Sequence, residues 1–264
     1  MVREDTEYPT YTSKHPEDLY YIFGSKDNTP LESTIVNKIR AYALQNDLEN
    51  GAASALIYLT SSRLREIARY EYTGIASEDI KIKLPGITLG QITIEEKEGG
   101  EEQWLCIITR VEKHFNPKPN MTLEERRQQL EKIEYKKMKI LIDEQSPLYP
   151  LIEVVKLRID ELTGEAKDVN DFNNNSRKFK DIELYTLSGR QLGRIMVKHF
   201  KIHPHLLRHW RCKHLTELYG YSTSELERLI KWSGQAMAMT YTEASDKGIE
   251  EKERRRVMER KQNL

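Results

Sequence analysis

The sequence predicts a mainly α-helical protein with a small antiparallel three-stranded β-sheet. Apolar residues recur at helical spacing early in the chain and again after Pro150. Between about Gln91 and Ile142 the period changes to the alternation of strands. The 264 residues, 38% of them hydrophobic, suffice for one domain with its own core.

Residues 1–32 have no periodicity and contain Tyr8-Pro9, His15-Pro16 and Thr29-Pro30, which reads as an arm or irregular lead-in. A helix is expected over Ser33–Gln45, where Ile35, Ile39, Tyr42 and Ala43 share a face. A second is expected over about Ala52–Tyr70, with a break at Gly74. Gln91–Glu95, Trp104–Val111 and Lys137–Ile142 read as three strands, the first two joined by a turn at Glu98-Gly99-Gly100-Glu101. The long second connection, an insertion at about 113–135, contains Pro117, Pro119 and a charged stretch, Thr122–Glu134, suited to a short helix. Beyond Pro150, helices are expected at Leu151–Leu162, Ser188–Phe200, Pro204–Tyr219 and Ser222–Ser233, with another at Ala236–Thr242. The segment holding Asn170 and Asn173-Asn174-Asn175 reads as a loop. The tail, 244–264, is helix-prone but has no apolar face, which suits a solvated or partner-bound helix.

Composition excludes several classes. No apolar run approaches the roughly 20 residues of a membrane span, and the polar N-terminus has no secretion signal's apolar core. Two cysteines, Cys106 and Cys212, make no disulfide framework, and a cytoplasmic location is expected. The charge totals balance, 42 basic against 42 acidic residues, but their distribution does not. Ten basic residues lie between Ser176 and His214, opposed only by Asp181 and Glu183. A local field of this kind holds a polyanion even when the molecular total is zero.

The segment His203-Pro204-His205-Leu206-Leu207-Arg208-His209-Trp210 offers the clearest chemistry. Proline suits a helix start, and His205 and Arg208, three apart, share a face near the positive first turn. That pair sets a proton-transfer group beside a guanidinium fork that grips phosphate oxygens. Upstream stands Thr60-Ser61-Ser62-Arg63-Leu64-Arg65-Glu66-Ile67; downstream, Leu229-Ile230-Lys231-Trp232-Ser233-Gly234 is followed by Met239-Thr240-Tyr241-Thr242-Glu243. No His, Cys, Asp and Glu cluster has metal-ligand spacing.

In order and spacing these four boxes resemble the catalytic domain of the tyrosine recombinases, the phage-type, Xer-like and archaeal or viral integrases, over roughly Thr34–Ala244. The resemblance implies that fold for residues 33–243. It implies DNA recombination and integration, as in mobile genetic elements, with double-stranded DNA as partner and a homo-multimer assembled on it. Neither cofactor nor metal is implied. Arg63 and Arg208 become the clamp on the scissile phosphate, His205 the neighbouring acid/base, and Tyr241 the nucleophile forming a 3′-phosphotyrosyl bond. Trp232 stands where most members have His; its indole N–H can donate a hydrogen bond to phosphate but cannot shuttle a proton. The lysine that protonates the leaving 5′-oxygen becomes Lys113, with Lys97 the runner-up and Lys136 and Lys137 behind it. Lys178, Arg190, Arg194, Lys198, Arg211 and Lys231 are the expected DNA-contacting side chains.

Two departures stand out. Ser61-Ser62 replaces the family's Gly-Leu, and only residues 1–32 precede the catalytic body, where the family has an N-terminal core-binding domain. Its role would fall to the arm, the insertion or an accessory DNA-binding protein. The alternatives are a type IB topoisomerase-like nicking-closing enzyme and a DNA-binding regulatory relative without strand transfer.

Overall fold

The computed structural model describes residues 31–73, 81–97, 102–111, 121–200 and 202–231. These are mainly helical, with a three-stranded antiparallel sheet and a separate two-stranded one. Helices α1 (Glu32–Gln45) and α2 (Leu48–Thr60) pack together and are joined at Asp47, whose carboxylate accepts the Asn50 N–H at 3.0 Å. That cap starts α2 four residues before its apolar periodicity does. Gly51 allows the close approach, since a Cβ there would lie 2.6 Å from Ala43 Cα. From Asn50 to Thr60 every residue of α2 is buried, and the helix forms the centre of the core.

The helix expected to run to Tyr70 stops at Thr60, because Ser61 turns into the left-handed region (φ 49°). A short helix, α3 (Leu64–Ile67), follows. Then β1 (Tyr70–Thr73) pairs antiparallel with β2 (Lys81–Leu84), a ladder with no counterpart among the expected elements. The larger sheet has the order β3 (Ile92–Glu96), β4 (Gln103–Arg110), β5 (Tyr135–Leu141), as the alternation predicts. Its inward face, with Ile92, Ile94, Leu105, Ile107, Met138 and Ile140, joins the core. Helix α4 (Leu123–Glu131) lies in the second connection.

Helix α5 (Tyr149–Thr163) packs on α1 and α2. The expected asparagine-rich loop is a helix, α6 (Val169–Lys178). Asp168 caps it, Phe172 and Ser176 are buried one turn apart, and the Asn173 amide bonds both main-chain groups of Ile94 (2.9 and 2.8 Å). Tertiary pairing with β3 overrides the loop-like composition. Helix α7 (Gly189–Ile195) passes into a π-helical turn, Met196–Phe200, before α8 (Pro204–Glu217) and α9 (Thr223–Ile230). The lead-in 1–30, the Glu98–Glu101 turn, the helix expected at Ala236–Thr242 and the charged tail lie outside the described residues. Among the described residues no helix is long and apolar enough to cross a membrane.

Candidate active site

The site is built where the ends of two helices meet. α2 closes on a chain of hydroxyls: Thr60 Oγ1 lies 2.7 Å from Ser62 Oγ, which lies 3.2 Å from Thr109 Oγ1 on β4. This anchors the turn to the sheet and delivers Arg63 to the start of α3. There the Arg63 N–H donates to Glu66 Oε2 (3.0 Å), closing the helix start as a cap would. Arg110 clamps the same segment from β4, donating to the carbonyls of Arg65 (2.9 Å) and Ala68 (2.7 Å) and to that of Pro85.

α8 supplies the other wall. Pro204 opens it, and the His203 ring accepts the His205 N–H at 3.3 Å, taking the N-cap role usually held by a hydroxyl or carboxylate. Arg63, Arg65, His203, His205 and Arg208 line one cleft of about 240 Å³. Two boxes far apart in sequence are thereby brought together. Arg63 is partly open, with 29% of its side chain exposed, whereas the Arg208 side chain is 3% exposed and lies within the wall.

Below the cleft lies Glu66, its side chain 2% exposed, with three cations around it. Lys136 Nζ is 3.1 Å from Oε2, and the guanidiniums of Arg63 and Arg208 are each 3.8 Å from a carboxylate oxygen. Burial works to raise the Glu66 pKa, but Lys136, Arg208 and the Arg63 N–H outweigh it and hold it below the usual carboxylate range. Burial pulls Lys136 down to about 8, opposed by Glu66 and assisted by Arg208. His205, exposed at the mouth of the cleft yet crowded by protein on its inner side, is pushed down to about 4 by desolvation and by the like charges of Arg208, His203 and Arg63. Its ring is therefore neutral at pH 7, able to accept a proton on one nitrogen and donate on the other. Desolvation lowers His203 as well, which keeps the capping nitrogen unprotonated.

The remaining expected residues divide clearly. Lys113, Trp232 and Tyr241 lie outside the described residues. Lys97 is exposed on the hairpin and paired with Glu102 (3.1 Å), and Lys137 pairs with Glu95 on the outer face of the sheet. Lys178, Arg190, Arg194 and Lys198 are exposed on α6, α7 and the π-turn; exposed Lys231 faces Glu134 at 3.5 Å. Arg211 requires a correction. Instead of facing a ligand it is buried, bonding Glu32 of α1 at 2.7 Å and stacking near the rings of Tyr58 and Tyr219. The helical spacing that puts Arg208 in the wall carries Arg211 inward too.

Two residues gain importance that the sequence left without a role, Glu66 and His203. Lys136, ranked behind Lys113 and Lys97, gains a different place from the one sought. A signal for it existed: Lys136, Met138 and Ile140 alternate on one face of β5, so a charge sits in an apolar register. Comparison with models of protein families, with curated proteins and with solved structures returns no match.

Proposed function

We propose that the protein is a site-specific DNA recombinase or integrase of the tyrosine type, with the catalytic-domain fold of that family. The observation that carries the proposal is the convergence of Arg63, His205 and Arg208 on a single cleft. These are the residues that the resemblance assigns to the scissile phosphate. The exposed cations Arg190, Arg194 and Lys198 lie just before α8 in the chain and suit the flanking DNA backbone.

A phosphodiester carries a full negative charge that repels nucleophiles, and its transition state concentrates more on the non-bridging oxygens. Two guanidiniums held in a partly desolvated wall stabilise that charge without reorganising. In this reading Tyr241 attacks phosphorus, forming the 3′-phosphotyrosyl bond as the 5′-oxygen departs with a proton from Lys113. The bond is conserved in energy, so rejoining needs no ATP. His205 receives the tyrosine proton. At rest its pKa is low for that task, chiefly through desolvation; an anion in the cleft offsets the repulsion from Arg208 and Arg63 and so raises it.

A suicide-substrate assay tests the proposal. Nicked duplexes made from the DNA flanking the gene are incubated with the protein in EDTA and run on a denaturing gel. A covalent band is expected from the wild type and lost in Tyr241→Phe, with DNA binding nearly intact. Arg208→Ala weakens both. DNA binding at low salt with no covalent band from the wild type would instead favour the regulatory relative.

A further inference from the structure

Lys136 has no part in the chemistry just described. Its side chain is 1% exposed, its Nζ also donates to the Thr60 carbonyl (3.2 Å), and it lies beneath the cleft, not among its lining groups. Burying an ammonium is costly, and in the apolar register of Met138 and Ile140 a neutral side chain would pack without that cost. The position therefore calls for a reason.

Charge balance supplies one. Among the described residues, Arg63, Arg208 and Lys136 surround the carboxylate of Glu66, three positive charges about one negative. Lys136 makes the closest ionic contact, at Oε2, the oxygen that Arg208 also faces from 3.8 Å. Without Lys136 the carboxylate would lose its closest cation and fall to the two arginines beside it. A fork-to-fork pair at full hydrogen-bonding distance would then draw Arg208 down and spend its charge internally.

We propose that Lys136 is a positioning residue which, by occupying Glu66, keeps Arg63 and Arg208 turned to the cleft and positive enough to hold a phosphodiester. The ligand named here rests on the recombinase reading; the electrostatic arrangement does not. The groups facing Lys136 are Glu66 on α3, Arg208 and Cys212 on α8, and the Thr60 carbonyl at the end of α2. Glu66 is held below the usual range and burial pushes the Cys212 thiol up, so neither titrates near neutrality. Lys136, drawn down to about 8, does. Raising the pH through that value removes its charge, releases Glu66 onto the arginines and weakens anion binding.

Two readouts on wild type, Lys136→Met and Lys136→Met/Glu66→Gln test this. Without DNA, the His205 ring is titrated by NMR. Its pKa is expected to rise by roughly half a unit in the single variant, as Glu66 becomes uncompensated, and to return in the double variant. With a short duplex at low salt, wild-type Kd is expected to rise roughly five- to tenfold between about pH 7 and pH 9. Lys136→Met is expected to start at the weaker value and stay flat; the double variant should stay flat at the tighter one. A folded Lys136→Met that keeps the wild-type His205 titration and binding profile overturns the inference, leaving Lys136 a packing residue. If His205 shifts as stated but no form binds DNA, the inference stands and the recombinase reading falls. Should Lys136→Met fail to fold, the double variant decides, because it removes the buried lysine and its carboxylate together; a wild-type pH slope there would overturn the proposal.

Discussion

Glu66→Gln isolates the cost of the buried ionic cluster, because the amide keeps the shape and can still accept the Arg63 N–H. What disappears is the carboxylate opposite Lys136. Removing one partner of a buried pair typically costs about 3–5 kcal/mol. Proton loss sets a ceiling on the lysine's share. From an ordinary value of 10.5, a lysine can shed its proton at pH 7 for about 5 kcal/mol. The wild type already bears about 3 kcal/mol of that, since its folded pKa lies near 8. Little more than about 1 kcal/mol remains for the lysine, and the lost attraction to Arg208 and Arg63 brings the expected total to about 2–4 kcal/mol. The pH dependence is the sharper test. In the wild type, folded and unfolded chains both hold the proton below about pH 8, so this residue leaves stability flat there. In Glu66→Gln the folded lysine is neutral by about pH 7 while the unfolded chain still binds a proton, so stability rises with pH from that point. Urea unfolding at intervals from about pH 7 to pH 9 should show the gap between the proteins closing by about 1 kcal/mol before pH 8 and then holding steady. A gap that stays constant throughout would refute the reasoning, because it would mean that water reaches Lys136.

Three further outcomes are expected. Gly51→Ala places a methyl on the Ala43 Cβ and 2.6 Å from its Cα, a backbone contact that cannot yield; thermal melts should show a loss of about 1–2 kcal/mol despite alanine's better helix propensity. Ser61→Gly relieves a left-handed residue at φ 49° and should gain about 1 kcal/mol; an unchanged or lower Tm would mean that the lost contact with Cys212 outweighs the strain. For His205 the folded pKa, near 4, lies below the ordinary 6.5, so on acidification the unfolded chain gains the proton first and stability is lost across that window. His205→Asn should therefore lose less stability than wild type between about pH 7 and pH 5 in urea titrations, and an equal loss would contradict the shift.

What the sequence discloses depends on whether the deciding contact is local. The register of β3, β4 and β5 follows from alternation, because a slip of one residue would turn Ile92, Ile94, Met138 and Ile140 to solvent. The convergence of Arg63 with His205 and Arg208 was legible as two boxes, though not as distances. Helix α6 was not legible: its composition favours turns, and what makes it helical includes the pairing of Asn173 with Ile94, 79 residues away. Arg211 failed similarly. A count of basic residues between Ser176 and His214 cannot tell a surface cation from one whose partner, Glu32, stands at the start of α1. Ser61 lies between these cases. Its left-handed turn, φ 49°, is one that glycine would signal and serine does not.

The buried polar residues of α8 explain how that helix can present a site at all. Leucine-to-leucine packing tolerates small rotations of a helix about its axis, since apolar contacts are non-directional. α8 instead faces two buried carboxylates. Arg208 faces Glu66 of α3, and one turn on Arg211 donates to Glu32 of α1. Glu32 also accepts from the Tyr219 hydroxyl at 2.7 Å, while the Tyr58 hydroxyl sits between Glu32 and His214. The charge-assisted hydrogen bond from Arg211 to Glu32 holds only in a narrow geometry, so with the looser Arg208–Glu66 ion pair it limits the rotation of α8 where apolar packing would leave it loose. Rotation is the coordinate that matters here, because Arg208 and His205, three residues apart, must both line the cleft while Arg208 stays within 3.8 Å of Glu66. A shift of one residue, about 100° on a helix, would bury the imidazole or withdraw the guanidinium. The ionic contacts are thus a costly way to hold a helix and a direct way to aim one.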